Sequence, residues 1–288
     1  MPRERVVRVG VLNIKTQPHS AQKYLDLLDL TYTQSQPAKI RGSDWGMIGT
    51  CRKTHPGEEE SLLLHGTVYR FLNIDPRGDW LNLLKRTPIS AKEEDEVPLI
   101  PEYLKPNLKQ IPYIFFPEKH RFFFDLSKIS PKGMKALLDR LFSTDLIQEK
   151  IGQVDIEVES TKELIQKILN IPRITKLKID FSFPNPDDLS GSGMKVMRRF
   201  KKQNIRRHKQ ESSSTHDDGI KADDETKALM DVALSNGKVE AVGYDGERKI
   251  ELSTVDHPLS SSMRYNPEIQ SQYEAMLMAS TKVLRSLR

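Results

Sequence analysis

Residues 121–183 read RFFFDLSKISPKGMKALLDRLFSTDLIQEKIGQVDIEVESTKELIQKILNIPRITKLKIDFSF, and their periodicity sets the fold class. Residues 121–126 form a strand of aromatic and apolar residues. Ser130 and Pro131 then open a helix, serine as the cap and proline at the first helical position, where its missing N–H costs nothing. Met134, Leu137, Leu138 and Leu141 fall on one face of that helix. Residues 154–158, VDIEV, alternate apolar and acidic side chains, as a half-exposed strand does. Thr161 caps a second helix with Leu164, Ile165, Ile168 and Leu169 inward, and residues 176–183 alternate again. This β-α-β-α-β order predicts an α+β fold of mixed or antiparallel sheets with a ferredoxin-like segment.

Upstream, residues 113–124 (YIFFPEKHRFFF) place two aromatic runs around a turn. The runs are continuous rather than alternating, so the rings are expected in a core covered on both faces. Residues 6–14 (VVRVGVLNI) read as a central strand, followed by a helix capped by Ser20 with Tyr24, Leu27 and Leu28 on one face. Residues 45–52 and 62–75 read as a strand pair. Acidic turns are expected at 56–60 and 90–97, and an abrupt break at 184–188, PNPDD. Downstream lie a hairpin at 238–253 turning on Asp245-Gly246 and an amphipathic helix in 267–288. Composition suggests three stretches, which one continuous domain can also hold: a strand-rich 1–110, the ferredoxin-like 111–190, and 191–288.

Charge supplies the functional clue. Residues 195–209, KVMRRFKKQNIRRHK, carry eight Lys or Arg and no acid, within a chain of 45 basic and 40 acidic residues. Without those eight, 37 basic against 40 acidic residues leave a balance of −3, so the basic character is this one segment. The segment reads as a helix seated on a narrow stripe of Met194, Val196, Met197, Phe200 and Ile205. Lys195, Arg198, Arg199, Lys201, Lys202, Arg206, Arg207 and Lys209 are the candidate phosphate contacts. Two other partners fit such charge: carboxylates of this chain or of another protein, and an anionic membrane surface, for which the apolar stripe is too narrow. Residues 211–225 are rich in Ser and Asp; they read as a mobile loop able to fold onto the basic helix and compete with a polyanion.

With 37% hydrophobic and 30% charged residues the chain is globular, and no apolar run is long enough to span a membrane. The lone Cys51 excludes an internal disulfide and points to a reducing, cytoplasmic compartment. No phosphate-binding glycine loop, serine nucleophile elbow or His/Cys metal spacing is present, and no cofactor is expected. Asp155, Glu157 and Glu159 on one strand, with Asp180 on another, are carboxylates of the kind a metal-dependent nuclease gathers, but their alternation is what an exposed strand face shows anyway. Asp245 to Lys249 has an acid-x-lysine flavour, but in a hairpin turn. His19 beside a helix start is either an anion or acid–base group or a loop histidine. A metal-free ribonuclease needs His, Lys, Arg or Tyr gathered by the fold, with His65, Tyr69, Arg70 and His120 as contributors; spacing alone names no catalytic residue.

Several segments together carry a resemblance. They are Asn13-Ile14 with Pro18-His19-Ser20 and Tyr24; Ile40-Arg41-Gly42 with Trp45; Gly66 with Tyr69-Arg70-Phe71; Asn73-Ile74-Asp75 with Trp80-Leu81-Asn82; Pro184-Asn185-Pro186-Asp187; and Asn236-Gly237. In this order the chain resembles an uncharacterised bacterial family known only as a domain of unknown function. The resemblance implies a bacterial cytoplasmic protein in a phage-defence or mobile-element setting, and it assigns no catalytic residue. Three functions follow as expectations: a nucleic-acid-binding component of an antiviral defence or mobile-element system, a nuclease effector on RNA or DNA, and an adaptor whose basic helix docks an acidic protein partner or a second copy.

Overall fold

The computed structural model describes residues 4–55, 62–75, 78–89, 101–183 and 192–287, with the backbone only at Ser192, Gly193, Lys195 and Val196. The acidic turns at 56–60 and 90–97 and the break at 184–188 lie outside the described residues.

Strand β1 (Arg5–Thr16) leads into α1 (Ala21–Gln34), where the Ser20 side chain accepts from the Lys23 N–H as the cap. Strands β2 (Ala38–Arg41), β3 (Asp44–Thr54) and β4 (Leu63–Leu72) form a meander, and β5 (Trp80–Asn82) and β6 (Thr87–Ile89) make a separate hairpin. The aromatic hairpin is β7 (Lys109–Phe116) and β8 (Arg121–Asp125). Next come α2 (Pro131–Leu141), α3 (Asp145–Lys150), β9 (Val154–Val158), α4 (Lys162–Leu169) and β10 (Arg173–Ser182). The chain continues through α5 (Ser192–Lys202), β11 (Arg207–Ser213), α6 (Asp224–Asn236), β12 (Gly237–Asp245), β13 (Arg248–Ser253), β14 (Ser260–Tyr265) and α7 (Gln272–Ser286).

Two antiparallel sheets organise these elements. The larger, eight-stranded one runs β14-β1-β8-β7-β4-β3-β2, with β9 also on β1; the smaller runs β11-β10-β12-β13. The larger sheet draws strands from 1–110, 111–190 and 191–288 alike. Period-2 alternation along β1 explains its central place. Leu12 and Ile14 join Tyr24, Leu27 and Leu28 of α1 and Met134, Leu137 and Leu138 of α2 in one core. Val7, Val9 and Val11 join Ala275, Met276 and Ala279 of α7 in another. The aromatic hairpin is buried from both sides as its continuous pattern predicts: Tyr113, Phe115, Phe122 and Phe124 pack with the first core, Ile114 and Phe123 with the second.

Two expectations change. The β-α-β-α-β segment does not close into one ferredoxin-like sandwich. β8 pairs with residues 9–13 of β1 and β9 with residues 12–16 on its other edge, so a strand from the chain's start intervenes between them. β10 leaves for the smaller sheet, where β11 and β12 supply antiparallel partners. The basic stretch is likewise not one helix. α5 stops at Lys202 and β11 begins at Arg207. Asn204, at φ 54°, takes the left-handed position past the helix end. The Ile205 N–H bonds the Phe200 carbonyl at 3.0 Å and the Asn204 N–H bonds that of Lys201 at 3.1 Å, while Ile205 and Phe200 share an apolar cluster. That bond pattern with its apolar contact is a Schellman stop signal.

Candidate functional site

The smaller sheet has two unlike faces. Leu177, Ile179, Phe181, Val239 and Ala241 point to α4, α5 and α6, and Met197 and Phe200 seat α5 on that layer at 1% and 3% exposure. His208 faces the same way, its ring 4.7 Å from that of Phe200. The opposite face carries a lattice of charge pairs: Lys176 and Lys178 with Glu211 at 2.6 and 3.1 Å, and Lys238 with Glu240 at 2.9 Å.

The candidate cations divide along this structure. Arg198, Arg199, Lys201 and Lys202 lie exposed on α5, Arg206 in the connection, and Arg207 and Lys209 on the charged face of β11; the Lys195 side chain lies outside the described residues. Three of them meet carboxylates of the chain. Arg199 pairs with Glu225 at 2.8 Å. Arg207 donates to Asp180 through Nε at 2.7 Å and Nη2 at 2.9 Å, and Lys209 lies 4.0 Å from the same carboxylate. Burial alone would raise the pKa of Asp180, but the Arg207 pair and Lys209 hold it below the ordinary carboxylate range. All three cations stay solvent-accessible, with 52%, 53% and 69% of their side chains exposed. Arg198, Lys201, Lys202 and Arg206 form no ion pair among the described residues.

The acidic stretch does not blanket α5. Glu211 belongs to β11; Asp217 pairs with Arg173, Asp218 with Lys221 and Asp224 with Lys227, and Asp223 caps α6 by accepting from the Thr226 N–H. Only Glu225, of these described acids, reaches the helix.

A second constellation lies where the two sheets meet. Beyond Val11, the α7-facing side of β1 turns polar at Asn13 and Lys15, both at or below 2% exposure. Lys15 Nζ donates to Ser182 Oγ and, at 3.3 Å, to the Asn236 carbonyl. Asn13 Nδ2 donates to the Ser235 carbonyl at 2.7 Å. Its Oδ1 accepts from Arg121 Nη1 at 2.9 Å and lies 2.8 Å from His120 Nδ1. Arg121 Nε is 2.6 Å from Glu159, the two side chains 5% and 0% exposed. The His120 ring stands edge-on to His19 at 5.2 Å, and His19 Nδ1 is 2.9 Å from the Tyr24 hydroxyl. Burial first, then the neighbouring Arg121, pushes His120 down to about 2, so its ring is neutral at working pH.

Of the residues weighed for catalysis, the fold therefore gathers His120 with His19, Tyr24, Lys15 and Arg121. His65 instead contacts Thr54 and meets the Tyr273 ring at a 45° tilt, 4.6 Å between centroids, and Arg70 pairs with Asp44. Glu159 and Asp180 turn to separate arginines, and among the described residues no three of His, Cys, Asp and Glu gather to hold a metal ion. The sequence did carry a signal for the missed members: Asn13 and Lys15 continue the alternation of Val7, Val9 and Val11, and two polar groups on a buried face need partners.

Glu157 sits opposite Asn13 on β9. Burial raises its carboxyl above the ordinary value of 4.5, and Lys135, Lys15 and Arg207 only partly offset this. The folded chain thus favours the protonated acid. Its contribution is present below pH 4.5 and is lost as pH rises through the folded-state value. Glu157→Gln should leave stability unchanged below pH 4.5 and raise it at neutral pH, as read from urea midpoints across pH.

These features define an α+β protein of two antiparallel sheets, with a cationic helix–strand surface beside a buried polar seam. Residues 5–281 match the family described as a domain of unknown function, DUF4747, and the chain belongs to that family. No curated protein matches it.

Proposed function

We propose that this chain is a nucleic-acid-binding protein that grips phosphates through α5 and the start of β11. One observation supports the reading: Arg198, Lys201, Lys202 and Arg206 project from one short helix and its C-terminal turn, exposed and without ion pairs among the described residues. Residues three and four apart on a helix are neighbours, so Arg198, Lys201 and Lys202 present one continuous cationic flank. Such a flank releases counterions from a nucleic-acid backbone, which yields affinity with little sequence preference. Arg199, Arg207 and Lys209 lie beside it, and their side chains stay solvent-exposed while paired. A bacterial cytoplasmic setting in phage defence or mobile-element biology belongs to the proposal through the family resemblance alone. Among the described residues no helix is long and apolar enough to cross a membrane.

A gel-shift titration with labelled RNA and DNA tests the reading. A shift at low salt that excess polyanion reverses is the expected result. A protein–protein adaptor with a basic docking helix would shift neither nucleic acid.

A further inference from the structure

The smaller sheet ends on β11, which pairs with β10 on one side and with no strand on the other among the described residues. The β10–β11 register runs without a break from Ser182 opposite Arg207 to Lys176 opposite Ser213. Just beyond its two ends, the Phe183 N–H bonds the Arg206 carbonyl at 2.7 Å and the Ser214 N–H bonds the Thr175 carbonyl at 2.9 Å. Bonded and non-bonded pairs alternate along an antiparallel ladder, so the even-numbered residues of β11 turn their backbone groups to β10. Arg207, Lys209, Glu211 and Ser213 therefore turn theirs outward, and among the described residues no backbone group meets them. Such a row of N–H and C=O groups is a template for another strand.

Proline, a bulge or charge commonly blunts an edge of this kind. β11 holds no proline and no bulge, and its charges are of both signs. Their order fits a second copy of the same strand. Laid antiparallel about Gln210, Lys209 of each copy faces Glu211 of the other, and Arg207 faces Ser213. These are the residues with outward backbone groups, so the hydrogen bonds and the charge pairs fall in one register. An axis at Lys209 or at Glu211 would set like charges face to face, and an axis between residues would set outward groups against inward ones. On the helix-covered face, Gln210 meets Gln210 of the second copy at a non-hydrogen-bonded pair, the closer kind, with its amide free to bond across the axis. Both charges are open to a partner. The Lys209 side chain is 69% exposed and only 4.0 Å from Asp180, and that of Glu211 is 49% exposed beside Lys176 and Lys178.

We infer that β11 is the contact of a homodimer, which joins two four-stranded sheets into one across a two-fold axis at Gln210. The inference needs no nucleic acid and stands apart from the binding reading. Directly opposed side chains share a face, so both copies of α5 lie on one side of the joined sheet. A polyanion long enough to reach both gains from the second contact. One strand edge is a small interface beside the roughly 1,200–2,000 Å² of a stable complex, so the dimer is reversible and depends on concentration.

Sedimentation velocity of the full chain, without nucleic acid and at rising concentration, tests this. The mass should move from that of one chain towards that of two. Lys209→Glu and Glu211→Lys, each checked for an unchanged thermal midpoint, should be monomeric alone, because each sets like charges across the axis. Mixed in equal amounts they should form a heterodimer, and the double variant Lys209→Glu with Glu211→Lys should recover the homodimer. Gln210→Cys in a Cys51→Ser background reads the register: mild oxidation should link two copies, whereas Ser213→Cys in that background should not. A chain that stays monomeric up to about 1 mM, the weak end of specific association, overturns the inference. Single variants that dimerise like wild type, a mixture that stays monomeric, or a dimer that Gln210→Cys does not link also overturn it. None of these results bears on the gel shifts, so the two readings fail separately.

Discussion

Replacing Arg121 with methionine should destabilise the protein by about 3–5 kcal/mol, the cost of breaking a buried ion pair from one side. The effect is large because of what remains. Glu159 has no exposed surface, and its carboxylate would lose a guanidinium 2.6 Å away. The same substitution removes the Arg121 donation to Asn13, whose Nδ2 ties β1 to the end of α6. Both sheets meet at that point, so the loss falls on their junction. The double variant Arg121→Met with Glu159→Leu should recover part of the loss, since it leaves no charge stranded. Urea denaturation of the single and double variants measures both. Equal stability of Arg121→Met and wild type would mean that the seam contributes nothing to holding the sheets together.

Changing Arg198, Lys201, Lys202 and Arg206 together to glutamine should weaken binding to RNA or DNA on the order of 10³-fold at about 0.1 M salt. Each neutralised duplex phosphate adds a factor that scales with roughly the inverse 0.9 power of salt, or about eightfold at that concentration, and four such factors multiply. Stability should move by no more than about 0.5 kcal/mol, because these side chains are exposed and form no ion pairs among the described residues. Changing Arg199, Arg207 and Lys209 instead should have a smaller effect per residue, since each must share its charge with Glu225 or Asp180. Fluorescence anisotropy with short RNA and DNA, alongside urea midpoints, separates lost contacts from lost folding.

Local pattern carried much of this architecture. Ser130-Pro131 and the spacing of Met134, Leu137, Leu138 and Leu141 mark α2 because cap, fixed φ and apolar period all agree there. The Asp245-Gly246 turn of β12–β13 is equally local, with Gly246 at φ 59°. What local pattern does not carry is the choice of partner. An alternating strand such as β10 reads the same whether it joins β8 and β9 or β11 and β12, so the ferredoxin-like expectation had no way to exclude the second sheet. The basic stretch departs from a single helix for a different reason. Its charge resumes at Arg206 after only Gln203, Asn204 and Ile205, but Asn204-Ile205 spell a helix stop, and that signal is present in the sequence.

The seam was the least legible part, although Asn13, His19, Tyr24 and Asn236 all lie in the segments that carry the family resemblance. Asn13 meets the Ser235 carbonyl across 222 positions of sequence, and Lys15 meets Ser182 across 167. No periodicity reaches that far. The readable hint was narrower: two polar residues continuing the buried, valine-lined face of a central strand.

The most direct measurement is the slope of log Kd against log salt for the wild-type chain and for the Arg198, Lys201, Lys202 and Arg206 glutamine variant. Binding through these cations requires a steep wild-type slope that flattens by about 3–4 in the variant, close to one per lost phosphate contact. A wild-type slope near zero, or one that the four substitutions leave unchanged, would contradict phosphate binding at this surface.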